Sequence, residues 1–293
     1  MSDAFILTSM VNMCLDAYKQ EGISLPHLFR QAGVSLTLLD NPIMPLTAAN
    51  ALFETALALT GDETLGINSG RNVSPTTFHA LGYAAIASAN LLASFRLIAG
   101  FSYGITDITR LSVFESESGV GFGFLAPAPG MAMHFLGLDA AICMVARICR
   151  QLQEGPAIIR EVHMGRPHPR NTRPFEHYFK APIHWHSDRF CIYFEPDYFL
   201  RPNKHANPFL IESTTKAAQA FFDGLVGQTR YTHRVRTSIT ELLHQQDLNL
   251  SHIADKLNVS ERTLQRYLSD EGTSFRQLVD DIKREAARHR IET

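Results

Sequence analysis

Hydrophobic positions in the first hundred residues recur at helical spacing. Phe5, Leu7, Val11, Cys14, Leu15 and Tyr18 fall on one side of a 3.6-residue repeat, which predicts a helix from Ala4 to Gln20 stopped by Gly22. Ser24 as N-cap, Pro26 in the first turn and Gly33 at the end mark a second helix. Thr47 caps a third, Ala48 to Thr60, closed by Gly61. Ser74-Pro75 opens a stretch to Ala87, and Leu91 to Phe101 continues the pattern. The period then changes to two. Leu111 and Val113, then Val120, Phe122 and Phe124, alternate around a turn-like Glu115–Gly119 and predict a hairpin. An apolar helix follows from about Met131 to Leu152, then a short strand at Ile158–His163 and a helical turn at Phe175–Phe179. Ile183–Trp185 and Phe190–Phe194 read as a second hairpin, and Asn207–Leu225 as an amphipathic helix. Helices and strands interspersed without strict alternation predict an α+β domain, with helices packed on a small mixed sheet.

Charge density changes beyond this region. Residues 228–293 carry 11 Lys+Arg and 10 Asp+Glu, against 16 and 19 in the much longer remainder. Gly227-Gln-Thr-Arg230 has turn composition, so a domain boundary is expected there: 1–227, then 228–293. With 45% hydrophobic and 19% charged residues, most of the chain can bury a core, which excludes a disordered protein. A net charge of −2 excludes a wholly basic nucleic-acid coat but permits a local one. Cys14, Cys143, Cys149 and Cys191 form no CxxC pair, so neither a disulfide framework nor a zinc ribbon is expected. No apolar run nears the roughly 18 residues that span a bilayer, and no leader opens the chain. A soluble, cytoplasmic protein without membrane contact is the expectation.

The C-terminal segment is the most informative. Val235, Ile239, Leu242 and Leu243 mark one helix. Asn249 caps a second, with Ile253, Ala254 and Leu257 as its buried stripe. Asn258 sits where a left-handed residue ends that helix, Val259 plugs the turn and Ser260 caps the next. Leu264 and Leu268 face inward in the third helix, while Arg262, Gln265, Arg266 and Ser269 share the opposite face. This is a helix-turn-helix pattern, and the exposed face of its later helix suits a major groove. Arg262 and Arg266 suit guanine or phosphate, Gln265 adenine, and Thr263 a thymine methyl or phosphate. Gly272 ends the third helix. Ser274 and Gln277 form a capping box for a fourth, which turns Phe275, Leu278, Val279, Ile282 and Ala286 inward. The plainer alternative is a helical hairpin with solvated charges.

The string LSHIADKLNVSERTLQRYLSDEGTSFRQLVDDIKREAARHRI resembles the AraC/XylS family of bacterial transcription regulators. The resemblance covers about the last 65 residues, and it places Ser260, Arg262, Thr263, Gln265 and Arg266 at the first DNA-recognition helix. MPLTAANALFE, SPTTFHALGYAA and APIHW…FCIYFEPDYFLRPNKHANPFL are similar to the arabinose-binding-type effector and dimerisation domain of that family. The resemblance implies double-stranded operator DNA, a small-molecule effector and a homodimer as partners, with no cofactor and no catalysis. It also implies two helix-turn-helix units joined by a linker helix. Phe275–Ile291 resembles the linker, and the chain ends at Thr293, so the expectation is a lone first unit, by truncation or fragmentation. An alternative reading is a ligand-binding or interaction module that pairs with full-length partners.

Other chemistry is thinner. His184 and His186 alternate in a strand and, with His163, His168 or His177, suggest a metal, but no acidic or cysteine ligand stands at a recognisable spacing, so none is expected. Gly119, Gly121 and Gly123 alternate within a strand, which fits close packing rather than a phosphate cradle. Arg166-Pro-His-Pro-Arg170 puts two cations on a stiff loop, read as solvated. No G-x-S-x-G, nucleophilic-cysteine signature or H-E-x-x-H is present. Nineteen Phe and eight Tyr suggest aromatic-lined space in the N-terminal region. Arg71, His79, Tyr103, His134 and Trp185 are the polar or stacking residues singled out there, by residue type alone, as effector contacts.

Overall fold

The first apolar stretch divides in two in the computed structural model. Phe5–Leu7 is a strand, β1, and helix α1 starts only at Thr8 and runs to Gln20. The one-helix expectation fails because three successive buried residues need partners on both sides, and β1 finds them by pairing antiparallel with β2 (Ile43–Pro45). Residues 4–106, 108–116, 119–125, 133–226, 235, 238–239, 249–257, 259–270 and 273–282 are described. Leu242, Leu243, Asn258, Gly272, Ala286 and the turn at 227–230 lie outside them. The chain divides into two compact units, Met1–Leu225 and Val226–Thr293.

In the first unit α2 (Leu25–Ala32) ends at Gly33, which takes the left-handed conformation at φ +66°. Ser24 precedes it without a side-chain cap. Helix α3 (Leu46–Thr60) begins one residue before Thr47, which therefore lies inside the first turn and is not its cap. Then come α4 (Leu65–Arg71), α5 (Ala80–Ile86), α6 (Leu91–Gly100) and α7 (Ser102–Ile105). The expected Ser74–Ala87 stretch is split: a short 3-10 turn at Pro75–Phe78 is separated from α5 by His79, at φ +54°. The remaining elements are β3 (Leu111–Ser116), β4 (Gly119–Leu125), α8 (Phe135–Leu152), β5 (Ile159–Met164), α9 (Arg173–Phe179), β6 (Ile183–Trp185), β7 (Arg189–Phe194), α10 (Pro196–Leu200) and α11 (Pro208–Val226).

The sheet order is β3-β4-β7-β5-β6, antiparallel except for the parallel pair β5/β6. β3 and β4 form the expected first hairpin. The second does not exist, because β6 and β7 are not neighbours. Phe190–Phe194 is buried along its length and takes a central place between β4 and β5. The three-residue β6 is half exposed and goes to the edge, delivered parallel to β5 by the crossover through α9. Gly121 and Gly123 leave room for Cys191, Tyr193 and the Phe190 carbonyl, where added Cβ atoms would collide. The unit is thus α+β, helices on a mixed sheet, with Phe95, Phe122, Phe194 and Phe199 stacked in its core.

Helix α4 crosses α8 at close range. Gly66 and Gly70, one turn apart, let the backbones meet: a Cβ on Gly70 would lie 2.6 Å from the Cys143 Cβ and 2.7 Å from the Ala140 carbonyl. Gly70→Ala is expected to destabilise this unit by about 1–3 kcal/mol through overpacking. Urea denaturation followed by the fluorescence of the single tryptophan, Trp185, measures it.

The second unit is helical. α12 (Leu250–Lys256) and α13 (Glu261–Asp270) precede α14, over 275–282. Val235, Ile239, Ile253, Ala254, Leu257, Leu264, Leu268, Leu278 and Ile282 form its core.

Candidate functional site

Helix α13 is placed by two caps and one apolar stripe. The Asn249 side chain accepts the His252 N–H at 2.8 Å and starts α12. The Ser260 hydroxyl accepts the Thr263 N–H at 3.2 Å and starts α13. Between them the Val259 N–H returns to the Ala254 carbonyl at 3.0 Å, which makes the turn tight. Leu264 and Leu268 are fully buried, and Ala254 lets the two helices cross. Arg262, Gln265, Arg266 and Ser269 are consequently exposed along one face, with the Arg266 guanidinium 5.2 Å from the centre of the Tyr267 ring. Thr263 is half-buried, its hydroxyl 2.8 Å from that of Ser260, so its part is to secure the cap. The Ser274 hydroxyl accepts the Gln277 N–H at 3.3 Å and starts α14.

The five residues singled out as effector contacts are not brought together. His79 packs at a tilt against Phe221, ring centres 4.2 Å apart, with its Nε2 buried and unpartnered and its pKa lowered by burial. The Tyr103 hydroxyl joins Asp223 and Gln219 of α11. His134 caps α8, its Nδ1 accepting the Leu136 N–H at 3.3 Å, and burial lowers its pKa too. Trp185 packs edge-on against Phe175 at 5.2 Å. Arg71 lines a cleft. That cleft, about 680 Å³, is walled by Arg71 of α4, Arg147 and Arg150 of α8, and His177, Tyr178 and Lys180 at the end of α9. Arg71 and Arg150 lie over the Tyr178 ring at 5.1 and 4.4 Å. Among the described residues no carboxylate pairs with Arg71, Arg147, Arg150 or Lys180, so the cleft is cationic and its volume is that of a small-molecule site. A second cavity, between α6, α8 and the sheet, is almost wholly apolar and holds only about 60 Å³.

The Arg166–Arg170 loop is not the solvated one its composition suggests. Arg166 is buried, pairs with the fully buried Asp139 of α8 and lies 3.5 Å from Glu63. Phe135 stacks under its guanidinium at 4.0 Å. Arg170 is exposed and 3.6 Å from Glu63. The four cysteines are free and buried; burial pushes the Cys14 thiol up to about 12 and holds Cys143 and Cys149 well above the ordinary thiol range.

The histidines divide as well. His163 and His184 meet at Glu161, the acidic neighbour absent from the sequence reading because it stands two residues before His163 on β5 and 23 before His184. His186 lies beyond the end of β6 at φ +58°, which breaks the alternation expected of it with His184. His168 contacts Trp185, and His177 lines the cationic cleft.

The chain thus joins an α+β unit carrying a cleft to a unit in which α12 and α13 form a helix-turn-helix arrangement. Residues 22–203 match the arabinose-binding N-terminal domain of the AraC transcription regulator, and the chain belongs to that family. It is 26% identical over 288 residues to the ornithine utilization regulator of Pseudomonas aeruginosa, covering 95% of this chain and 83% of that one. It is also similar to the crystal structure of the transcriptional regulator CdpR from Pseudomonas aeruginosa, at 17% identity and a TM-score of 0.47 over 92% of this chain and 84% of that one. Among the described residues no helix is long and apolar enough to cross a membrane.

Full burial pushes the Asp139 carboxyl from 3.8 up to about 7, with Arg166 pulling it back down. Between those values the native chain keeps a proton that the unfolded chain has released, so stability falls as pH rises, and the fall ends near 7. Arg166→Met removes the group that lowers this pKa. Its stability is expected to keep falling above that pH, ending about 3–5 kcal/mol below the parent. Urea denaturation across a pH series checks this, and parallel curves for the two proteins would refute it.

Proposed function

We propose that this chain is a sequence-specific DNA-binding transcription regulator whose first unit senses a small molecule and pairs with a second copy. The observation that carries the DNA-binding part is α13: a capped helix held by Leu264 and Leu268 that exposes Arg262, Gln265 and Arg266 on one face. Arginine and glutamine at this spacing supply the donors that guanine and adenine edges accept in the major groove. Ser260 and Thr263 fix the start of the helix beside the phosphates. The regulator relatives and the family of the first unit support the sensing role.

The effector site is the cationic cleft of Arg71, Arg147, Arg150 and Lys180, and its ligand is a small anion. The cleft has the volume of a ligand site, whereas the apolar cavity has room for little more than a few atoms. Binding there shifts the balance between arrangements of the protein only by its difference in affinity for them. Homodimerisation rests on the family resemblance.

Selection of duplexes from a random library by the full chain tests the DNA-binding reading. An enriched motif is expected. Arg262→Ala and Arg266→Ala should each weaken binding to it by about 1–3 kcal/mol if the side chain reads a base, and affinity should fall steeply with salt. No enriched sequence, or equal binding by both variants and the parent, would overturn it.

A further inference from the structure

We propose that Glu161, His163 and His184 form a binding site for a divalent cation of the zinc class. The fold assembles it from residues that are not close in the chain. Period two puts Glu161 and His163 on one face of β5, and the parallel register of β5 and β6 sets His184 directly beside His163. The two imidazole centroids are 4.8 Å apart. Glu161 Oε1 lies 3.1 Å from His163 Nε2, and Oε2 lies 3.2 Å from His184 Nε2. One ligand atom from each residue falls within 4.8 Å of the other two. Zinc bonds of about 2.0–2.1 Å arranged tetrahedrally have ligand-to-ligand edges of about 3.3–3.4 Å, and each imidazole already lies close to that distance from one oxygen of the carboxylate, His163 from Oε1 and His184 from Oε2.

The surroundings supply the orientation that a metal histidine needs. His163 Nδ1 is 3.2 Å from the Ser187 hydroxyl, and that hydroxyl is directed at Asp188 Oδ1, 3.4 Å away. In the tautomer that the proposed site requires, Ser187 Oγ gives its hydrogen to Asp188 and accepts the Nδ1–H of His163. That tautomer leaves a bare lone pair on Nε2, facing a carboxylate oxygen. Two acceptors turned toward each other need a cation or a proton between them, and an outer hydrogen bond to Nδ1 is the support that ligating histidines ordinarily have. The Tyr193 ring, edge-on to His163 at 5.3 Å, holds the imidazole plane. Glu161 and His163 are about three-quarters covered, whereas the His184 side chain is 51% exposed. Three protein ligands therefore leave a fourth position open to water, which suits an exchangeable ion over a permanent structural one. A cation there would tie the short edge strand β6 to β5.

Isothermal titration of the full chain with Zn²⁺ alone tests this. One equivalent per chain is expected in a site that Glu161→Gln and His184→Ala each weaken at least tenfold. Ser187→Ala, which removes the hydroxyl beside His163 Nδ1, should weaken it by about 10–100-fold. His186→Ala and His205→Ala should leave it unchanged; His205 makes an ordinary exposed contact with Glu154 at 3.0 Å, which Lys204 shares. His184 is a surface residue, so its variant keeps the test valid if loss of Glu161 disturbs folding. No uptake by the parent, or the same affinity in the parent and in His184→Ala, overturns the proposal.

Discussion

A carboxyl group buried in the second turn of a helix has to keep its proton or be answered by a cation, and the arrangement of the first unit follows from how Arg166 answers Asp139. Arg166 reaches it from the turn after β5, with Phe135 stacked on its guanidinium and Glu63 beside it. The same residue's carbonyl accepts the His186 N–H at 3.0 Å, while the Met164 carbonyl accepts that of Ser187. One arginine thus joins α8 to the end of β5 through its side chain, and β5 to the turn before β7 through its backbone. The same backbone bonds hold the turn that follows β6, next to where the β5/β6 ladder brings His184 to His163. The desolvation of two charges is the cost, and one Asp139 oxygen is left without a partner.

The two units rest on different chemistry. The first is filled by stacked aromatic rings and closed at α4/α8 by glycines, so its shape is sensitive to single methyl groups. The second has a small aliphatic core and depends on its caps for the ends of its helices. That division suits their proposed tasks. A recognition helix must present fixed polar side chains to another molecule, whereas a sensing unit needs walls that a ligand can bias.

What could be read from the sequence is what is encoded locally. Asn249, Ser260 and the Ile253–Leu268 stripe fix the helix-turn-helix within twenty residues, and each signal acts over one turn of helix. The β3/β4 hairpin was legible for the same reason. Strand order was not, because Phe190–Phe194 pairs with partners some 70 and 30 residues earlier, and alternation says which residues are buried without saying against what. Arg166 was misjudged because its partner is 27 residues away on a helix whose one acidic position is hidden by apolar neighbours. Glu161 escaped notice because a parallel register, which no spacing rule reports, brings it to His184. In the effector region residue type alone pointed to Arg71, which lines the cleft, and to four others that carry caps, stacks and hydrogen bonds.

The central place of β7 also bears on how the chain is made. β4 and β5 are synthesised well before it, yet they touch the sheet's middle only through it. Until residues 189–194 have left the ribosome, β4 and β5 each have an edge without its partner strand. Closing loops of this length is slow compared with forming helices. The nascent first unit therefore passes through a long interval with its helices formed and its sheet open, and it is during that interval that it most needs protection from aggregation.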